Sequence, residues 1–169
     1  KYTQKIRDGR TAFERKQFSV AVPMLEKEYK KTKSRVQKGK IAYLIGESYR
    51  QMNKSEEAVN WYLTAYDYQA GVEALREYAY ALKKGEQYTE AKEAFKNLGI
   101  EIGSPYEYRR EITACKLAED WLKDPKEYQI ELANFNSSNA DYAPVHYQDD
   151  QLVFTSDRSS NSDAEIYNW

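Results

Sequence analysis

The sequence predicts a mainly α chain, with helical hairpins stacked in series and then a few short antiparallel strands, and three observations carry that expectation. Alanines that follow turn-forming residues recur at Ala21, Ala58 and Ala91, spaced 37 and 33 residues apart, and a period of this length marks a repeated supersecondary unit. The 169 residues include only 7 Gly and 4 Pro but 16 Tyr, which suits helices packed through aromatic side chains. Charge divides the chain: residues 1 to 126 hold 25 Lys+Arg against 19 Asp+Glu, whereas residues 127 to 169 hold one Arg against eight acids. Ser, Asn and Asp become dense soon after the last lysine, Lys126. A boundary near Asp124-Pro125 is therefore expected, giving a helical domain over 1–126 and a β region over 127–169.

Each of the three segments Lys16-Gln17-Phe18-Ser19-Val20, Asn53-Lys54-Ser55-Glu56-Glu57 and Glu86-Gln87-Tyr88-Thr89-Glu90 reads as a turn entering a helix. Twelve residues before each alanine lies a small residue (Gly9, Gly46, Ala79), and nine before it lie Ala12, Tyr49 and Leu82. Four residues after it come Leu25, Tyr62 and Phe95. Small residues let two helices approach, and a bulky one a turn later fills the gap beside them, so each unit is expected to be a helical hairpin. A further helix is expected from Pro105 to Lys123, with Ile112, Cys115, Leu117, Ala118, Trp121 and Leu122 as the apolar set that covers the open end. Beyond Pro125 the pattern alternates: Tyr128, Ile130 and Leu132 face one way and Gln129 and Glu131 the other, a strand signal. Residues 136–145 form a turn cluster leading into a strand. Asp149-Asp150 turns into a second over 151–158, and Glu165 to Trp169 is a last candidate, so a meander is predicted.

Several chemistries are excluded on composition. The longest apolar runs, such as Ile41 to Ile45, fall far short of the roughly 20 residues that cross a bilayer. Lys1 follows no signal pattern, so any targeting segment is expected to have been removed. One cysteine, Cys115, and one histidine, His146, make neither an internal disulfide, a zinc site nor a Cys–His dyad. No phosphate-binding glycine loop or Gly-x-Ser-x-Gly elbow is present. Asn161, Asp163 and Glu165 alternate oxygen ligands but lack the glycine of a calcium loop. Asp141, Asp157 and Arg158 read as turn-stabilising groups. Lysines alternate with glutamates, as in Glu26-Lys27-Glu28, which describes a solvated helical face rather than a nucleic-acid surface. The expected protein is noncatalytic, with no cofactor, no metal, no nucleic acid and no transmembrane segment.

The helical units resemble the tetratricopeptide repeat. The second matches at Ile45, Gly46, Tyr49, Ala58, Tyr62 and Ala65, and the third at Leu75, Tyr78, Ala79, Leu82, Ala91 and Phe95. The first is degenerate, with Ala12 at an aromatic position and Glu28 at a small one, as suits a terminal repeat. The resemblance implies a helical-hairpin solenoid with a concave face lined by Tyr43, Glu47, Arg50 and Gln51 in one unit and Glu73, Arg76, Tyr80, Lys83 and Lys84 in the next. Tyr and Arg are favoured interface anchors, so Tyr43, Glu47, Arg50, Arg76, Tyr80 and Lys83 are the candidate partner-binding residues. Chaperone-binding members hold a carboxylate with Lys and Asn at fixed offsets, where this chain has Ile6 and Arg10. Cochaperone activity is therefore not expected.

Residues 134–169, with Asn136-Ser137, then Asp141-Tyr142-Ala143-Pro144, then Leu152-Val153-Phe154-Thr155-Ser156-Asp157-Arg158 and Ile166-Tyr167, look like the first blade of a WD-repeat-like, TolB-type β-propeller. Closure takes four to eight blades, so the chain is expected to be the N-terminal portion of something longer. Repeats followed by such a propeller are similar to an envelope-protein family of Bacteroidetes, the PorE-like components of the type IX secretion and gliding machinery, which often end in an OmpA-like peptidoglycan-binding domain. That resemblance implies a lipid-anchored or periplasmic, outer-membrane-associated scaffold, with peptidoglycan held only by the absent C-terminal domain; the alternatives are a soluble cytoplasmic repeat adaptor or assembly factor, and the N-terminal part of an enzyme with its site in later propeller blades.

Overall fold

A computed structural model describes residues 6–148 and 151–158 of the chain. Among these residues seven helices come first: α1 (Gly9–Glu14), α2 (Phe18–Lys31), α3 (Arg35–Gln51), α4 (Ser55–Asp67), α5 (Val72–Lys84), α6 (Tyr88–Glu101) and α7 (Arg109–Lys123). Two strands come next, β1 (Asp141–Tyr147) and β2 (Gln151–Ser156), paired antiparallel. The chain divides into two units, Lys1–Lys126 and Glu127–Trp169.

One turn is used repeatedly in the first unit. Lys16, Asn53 and Glu86 adopt left-handed backbone with φ of 57°, 58° and 61°. The next amide in each case donates back to the preceding helix: Gln17 N to Ala12 O at 2.9 Å, Lys54 N to Tyr49 O at 3.0 Å and Gln87 N to Leu82 O at 3.0 Å. This satisfies carbonyls left free at a helix C-terminus and reverses the chain within a few residues. The same closure recurs with Gln69 and Gly103 at φ 62° and 70°, where Ala70 N reaches Ala65 O and Ser104 N reaches Gly99 O, both at 2.9 Å. Each helix consequently packs on its neighbour in sequence, from α1 on α2 to α6 on α7. At the start, Asp8 caps α1, accepting from the Thr11 amide at 2.8 Å and the Thr11 hydroxyl at 2.9 Å.

Small residues set how close the helices come. A Cβ on Gly46 would stand 2.9 Å from Cδ1 of Tyr62, a ring that is itself fully buried, so glycine is what admits the tyrosine. A Cβ on Gly39 would meet the Tyr68 carbonyl oxygen at 2.5 Å, a backbone group that cannot swing aside. Ala12, Ala21 and Leu25 are buried with Ile41 and Ile45. Ala58, Tyr62, Ala79, Leu82, Ala91, Phe95 and Cys115 are buried in a second cluster. Ala42, Ala65 and Ala74 lie between adjacent hairpins. Glu28, the departure in the first unit, is part-exposed and faces Arg10 at 3.9 Å.

The last helix ends at Lys123 as expected but differs at its start and in its apolar set. It begins at Arg109 rather than Pro105, because residues 105–108 form turns in which Glu107 N donates to Ser104 O at 3.0 Å. Cys115 is buried and Ile112 and Ala118 are half-buried, but Leu117, Trp121 and Leu122 are exposed, Trp121 to 66%. A single helix laid on α6 buries only a narrow stripe, and the other apolar residues fall outside it. The expected strand at Tyr128, Ile130 and Leu132 does not form. Those side chains are 77%, 93% and 86% exposed, and the backbone there enters no ladder among the described residues. Alternation alone makes no strand without a partner to take its amides.

In the second unit β1 and β2 pair Tyr147 with Gln151, His146 with Leu152 and Val145 with Val153. A bulge between Tyr142 and Val145 carries Ala143 at φ 54°. The polar turn ahead of β1 is tied down by side chains. Arg158 donates to Asp141 Oδ2 at 2.6 Å, to the Phe135 carbonyl at 2.6 Å and to Ser137 Oγ at 2.9 Å. Asp157 Oδ1 accepts from Ala140 N at 2.7 Å. The Arg158 bond, with those from Ser156 and Ser137, holds the Asp141 carboxyl down at about 2. Phe135 stacks on Phe154 at 5.6 Å. The turn expected at Asp149-Asp150, the candidate strand at 165–169 and the oxygen ligands Asn161, Asp163 and Glu165 lie outside the described residues.

Candidate protein-binding face

Helices α3 and α5 carry the candidate residues at spacings of three and four, which puts them on one face of each helix. Tyr62 reaches this face from α4. Its ring is buried against Tyr43, edge-on at 5.7 Å, and its hydroxyl donates to Glu47. Glu47 also receives Arg50 through both arms of the guanidinium, Nε at 3.0 Å and Nη2 at 2.6 Å. A planar fork matched to a carboxylate in this way has little rotational freedom left. From there the network crosses to α5: Arg50 Nε lies 3.9 Å from Glu77, Arg76 Nε lies 3.9 Å from the same carboxylate, and Arg76 also pairs with Glu73. Beyond it Lys83 pairs with Glu111 of α7, and Lys84 donates to Asn53 at 2.8 Å.

Burial and these partners set the proton affinities together. Burial, with the charge of Glu47 next, pushes the Tyr43 phenol up to about 12. Burial first, then the hydrogen bond to Glu47, pushes Tyr62 further in the same direction. Glu77 is raised by burial and by neighbouring Glu47. Hydrogen bonding to Glu47 raises Arg50, and hydrogen bonding to Glu111 raises Lys83. These cations and phenols stay protonated across the physiological range.

Tyr80 is 39% exposed and rests edge-on upon Phe95 at 5.1 Å, and Phe95 in turn stacks on Tyr108 at 5.6 Å. Between Tyr80, Lys83, Lys84, Arg50 and the small α7 residues Ala114 and Ala118 runs a groove of about 560 Å³. A smaller one, about 360 Å³, lies beside Tyr43 and Glu73. The chemistry offered is an apolar, aromatic floor of half-exposed tyrosine rimmed by charges already held in place, a surface able to bury a side chain of another polypeptide. Among the described residues no cluster of three or more His, Cys, Asp or Glu is placed to hold a metal. His146 is exposed on β1 and Cys115 is buried in α7.

Tyr43, Glu47, Arg50, Arg76, Tyr80 and Lys83 therefore stand on neighbouring helices, with Arg50 and Arg76 joined through Glu77. Gln51 is exposed at the end of α3. Sequence reasoning missed Glu77 and Glu111, the acids that tie one helix to the next. The resemblance held the signal: it implies that helices one repeat apart lie side by side, so that an acid on one can meet a base on the last turn of its predecessor, as Glu77 meets Arg50. At the offsets of the chaperone-type clamp, Arg10 is engaged with Glu28. No helix among the described residues is long and apolar enough to cross a membrane. No protein-family model matches the chain, and no curated protein matches it.

Proposed function

We propose that the chain is a noncatalytic protein-binding scaffold in which a tetratricopeptide-like solenoid, built from α1 to α7, grips a polypeptide segment along α3 and α5. The observation that carries this reading is the Tyr62–Glu47–Arg50 chain. A buried phenol from one helix fixes a carboxylate, which fixes a guanidinium at the edge of a groove floored by Tyr80. Side chains held in place before a partner arrives lose less entropy on binding, and aromatic and Arg anchors are where interface energy concentrates. The recurring left-handed turns at Lys16, Asn53 and Glu86 support the repeat reading. The hairpin of β1 and β2, with its Arg158–Asp141 tie, suits the opening of a propeller blade that adds a second docking surface.

The resemblance to the PorE-like family sets the proposed location: the periplasmic face of a bacterial outer membrane, in a secretion or gliding complex. Crosslinking mass spectrometry of the protein in its native envelope tests both halves. Crosslinks from Lys83 and Lys84 to outer-membrane or secretion proteins are expected. Replacing Tyr43, Arg76 and Tyr80 by Ala should remove them with helical content unchanged. Crosslinks unaltered in that variant would sink the site, and absence from the envelope fraction would sink the location.

A further inference from the structure

A second surface, sharing no residue with the groove beside Tyr80, carries charge of a different kind. Residues 29 to 46 contain six lysines and arginines and no acid, whereas elsewhere in the helical unit the two signs interleave. Folding gathers five of the six around one cleft of about 650 Å³. Lys30, Lys31 and Lys33 come from the end of α2 and the turn after it, Arg35 and Lys38 from the first turns of α3, with Asp67 and Tyr68 at the end of α4 opposite.

The aromatic side of the cleft holds two of these cations. Arg35 donates to the Asp67 carbonyl at 2.7 Å, with its guanidinium 5.8 Å from the Tyr68 ring centroid. The Lys38 ammonium lies 4.8 Å from the Tyr29 ring centroid and 5.8 Å from that of Tyr68. Among the described residues none of the five is within ion-pair distance of a carboxylate, whereas Arg50, Arg76, Lys83 and Lys92 all are. Like charges crowded on a surface repel one another, and only a counter-charge from elsewhere relieves that cost.

We propose that this cleft is a docking site for an acidic, Asp- and Glu-rich protein segment. Three features favour a polypeptide over other polyanions. The Tyr29 and Tyr68 rings meet edge-on at 6.1 Å and have cations over their faces, so they offer no platform on which a nucleobase could stack. No Trp, Phe or Leu lines the cleft to enter a bilayer, which interfacial membrane binding requires alongside charge. A concave site with separate lysine heads on one wall and a fixed Arg and Lys on the other suits a chain presenting carboxylates at intervals. Such charge complementarity chiefly accelerates encounter and selects partners.

The test uses fluorescence anisotropy of a labelled Glu/Asp-rich peptide with the full chain at low and at physiological salt. Binding that weakens as salt is added is expected. The Lys30→Gln, Lys31→Gln, Lys33→Gln variant should lose about tenfold in affinity, the product of three modest exposed charge contacts. A control variant, Lys96→Gln, Lys116→Gln, Lys123→Gln, removes equal charge elsewhere and should change it less than about twofold. These lysines are solvent-exposed or nearly so, and both variants are expected to keep the wild-type thermal midpoint. Equal losses in both variants, no peptide binding at low salt, or tighter Lys30-dependent binding to anionic phosphatidylglycerol vesicles or a single-stranded oligonucleotide would overturn the proposal. Failure here leaves the groove reading standing, because Tyr43→Ala, Arg76→Ala and Tyr80→Ala lie outside this cleft.

Discussion

Tyr62 and Tyr43 carry phenols into the junction of α3 and α4, where burial is the largest influence on both and the Glu47 carboxylate adds to it. Their folded-state proton affinities are raised, so the linkage has one sign. The stability they contribute is fully present below the ordinary tyrosine value of 10.0 and is lost as pH climbs through the folded value, about 12 for Tyr43. Unfolded chains ionise their phenols first, and above that point alkali pulls the equilibrium toward them. We therefore expect the urea midpoint to hold steady up to about pH 10 and to fall beyond it, and Tyr62→Phe to flatten that fall. The check is a set of unfolding curves across alkaline pH, with phenolate absorbance recorded alongside. A wild-type midpoint that falls no more steeply than that of Tyr62→Phe would refute the buried-phenol account. At this scale much is legible in the sequence: Gly46, Ala58 and Tyr62 stand at offsets that only a tight helical pair requires. Which acid each phenol meets is not legible there: Glu47 and Tyr62 are 15 residues apart, a separation at which spacing on one helix says nothing.

Phe95 shows how one residue joins elements. It is fully buried in α6, with Tyr80 of α5 against one side at 5.1 Å and Tyr108, the residue before α7, stacked on the other at 5.6 Å. Two polar ties add to this dock: Glu119 accepts from Lys92 at 2.5 Å and from Thr89 at 2.6 Å, and Glu111 pairs with Lys83. Solvent screens ion pairs of this kind and leaves them a minor contribution, so packing at Phe95 is what holds α7. Truncation to Ala should cost about 3–5 kcal/mol. Cys115 gives a local readout, since it is the buried residue of α7, packed in the same cluster as Phe95, and desolvation raises its thiol. Wild-type protein should resist a thiol reagent, and Phe95→Ala should react far faster while far-ultraviolet dichroism under the same conditions still reports helix. A Cys115 that reacts at the rate of a free thiol before any mutation would show that α7 is not docked in this way. The sequence indicated this helix and its buried cysteine, because the apolar spacing is local. It overestimated the apolar set, because Leu117, Trp121 and Leu122 match the period without having a surface to meet.

At the scale of the whole chain, the buried residues of all three core clusters lie between Ala12 and Cys115, and the second unit has its own contact in Phe135 on Phe154. The charge reversal and the loss of lysine after Lys126 mark in the sequence where the second unit begins, and its first residues carry none of the buried core. Residues 127–132 are exposed, donate no backbone hydrogen bond among the described residues, and present Tyr128, Ile130 and Leu132 outward. A protease needs an accessible extended backbone, and this segment supplies one without local unfolding, whereas cleavage inside α1 to α7 requires a helix to open first. Limited chymotrypsin digestion should therefore cut first after Tyr128 or Leu132. The N-terminal product should keep the helical signal and melt at the temperature of the intact helical transition, because every core residue buried among the described residues lies before the cut. Tyr106 provides the internal competitor: it is 80% exposed, but it sits in a hydrogen-bonded turn between α6 and α7. Early cleavage there would show that the α6–α7 turn opens more readily than residues 127–132, and helicity falling in step with a first cut after Tyr128 or Leu132 would mean that the helices depend on the residues beyond Lys126, which a self-sufficient stack does not.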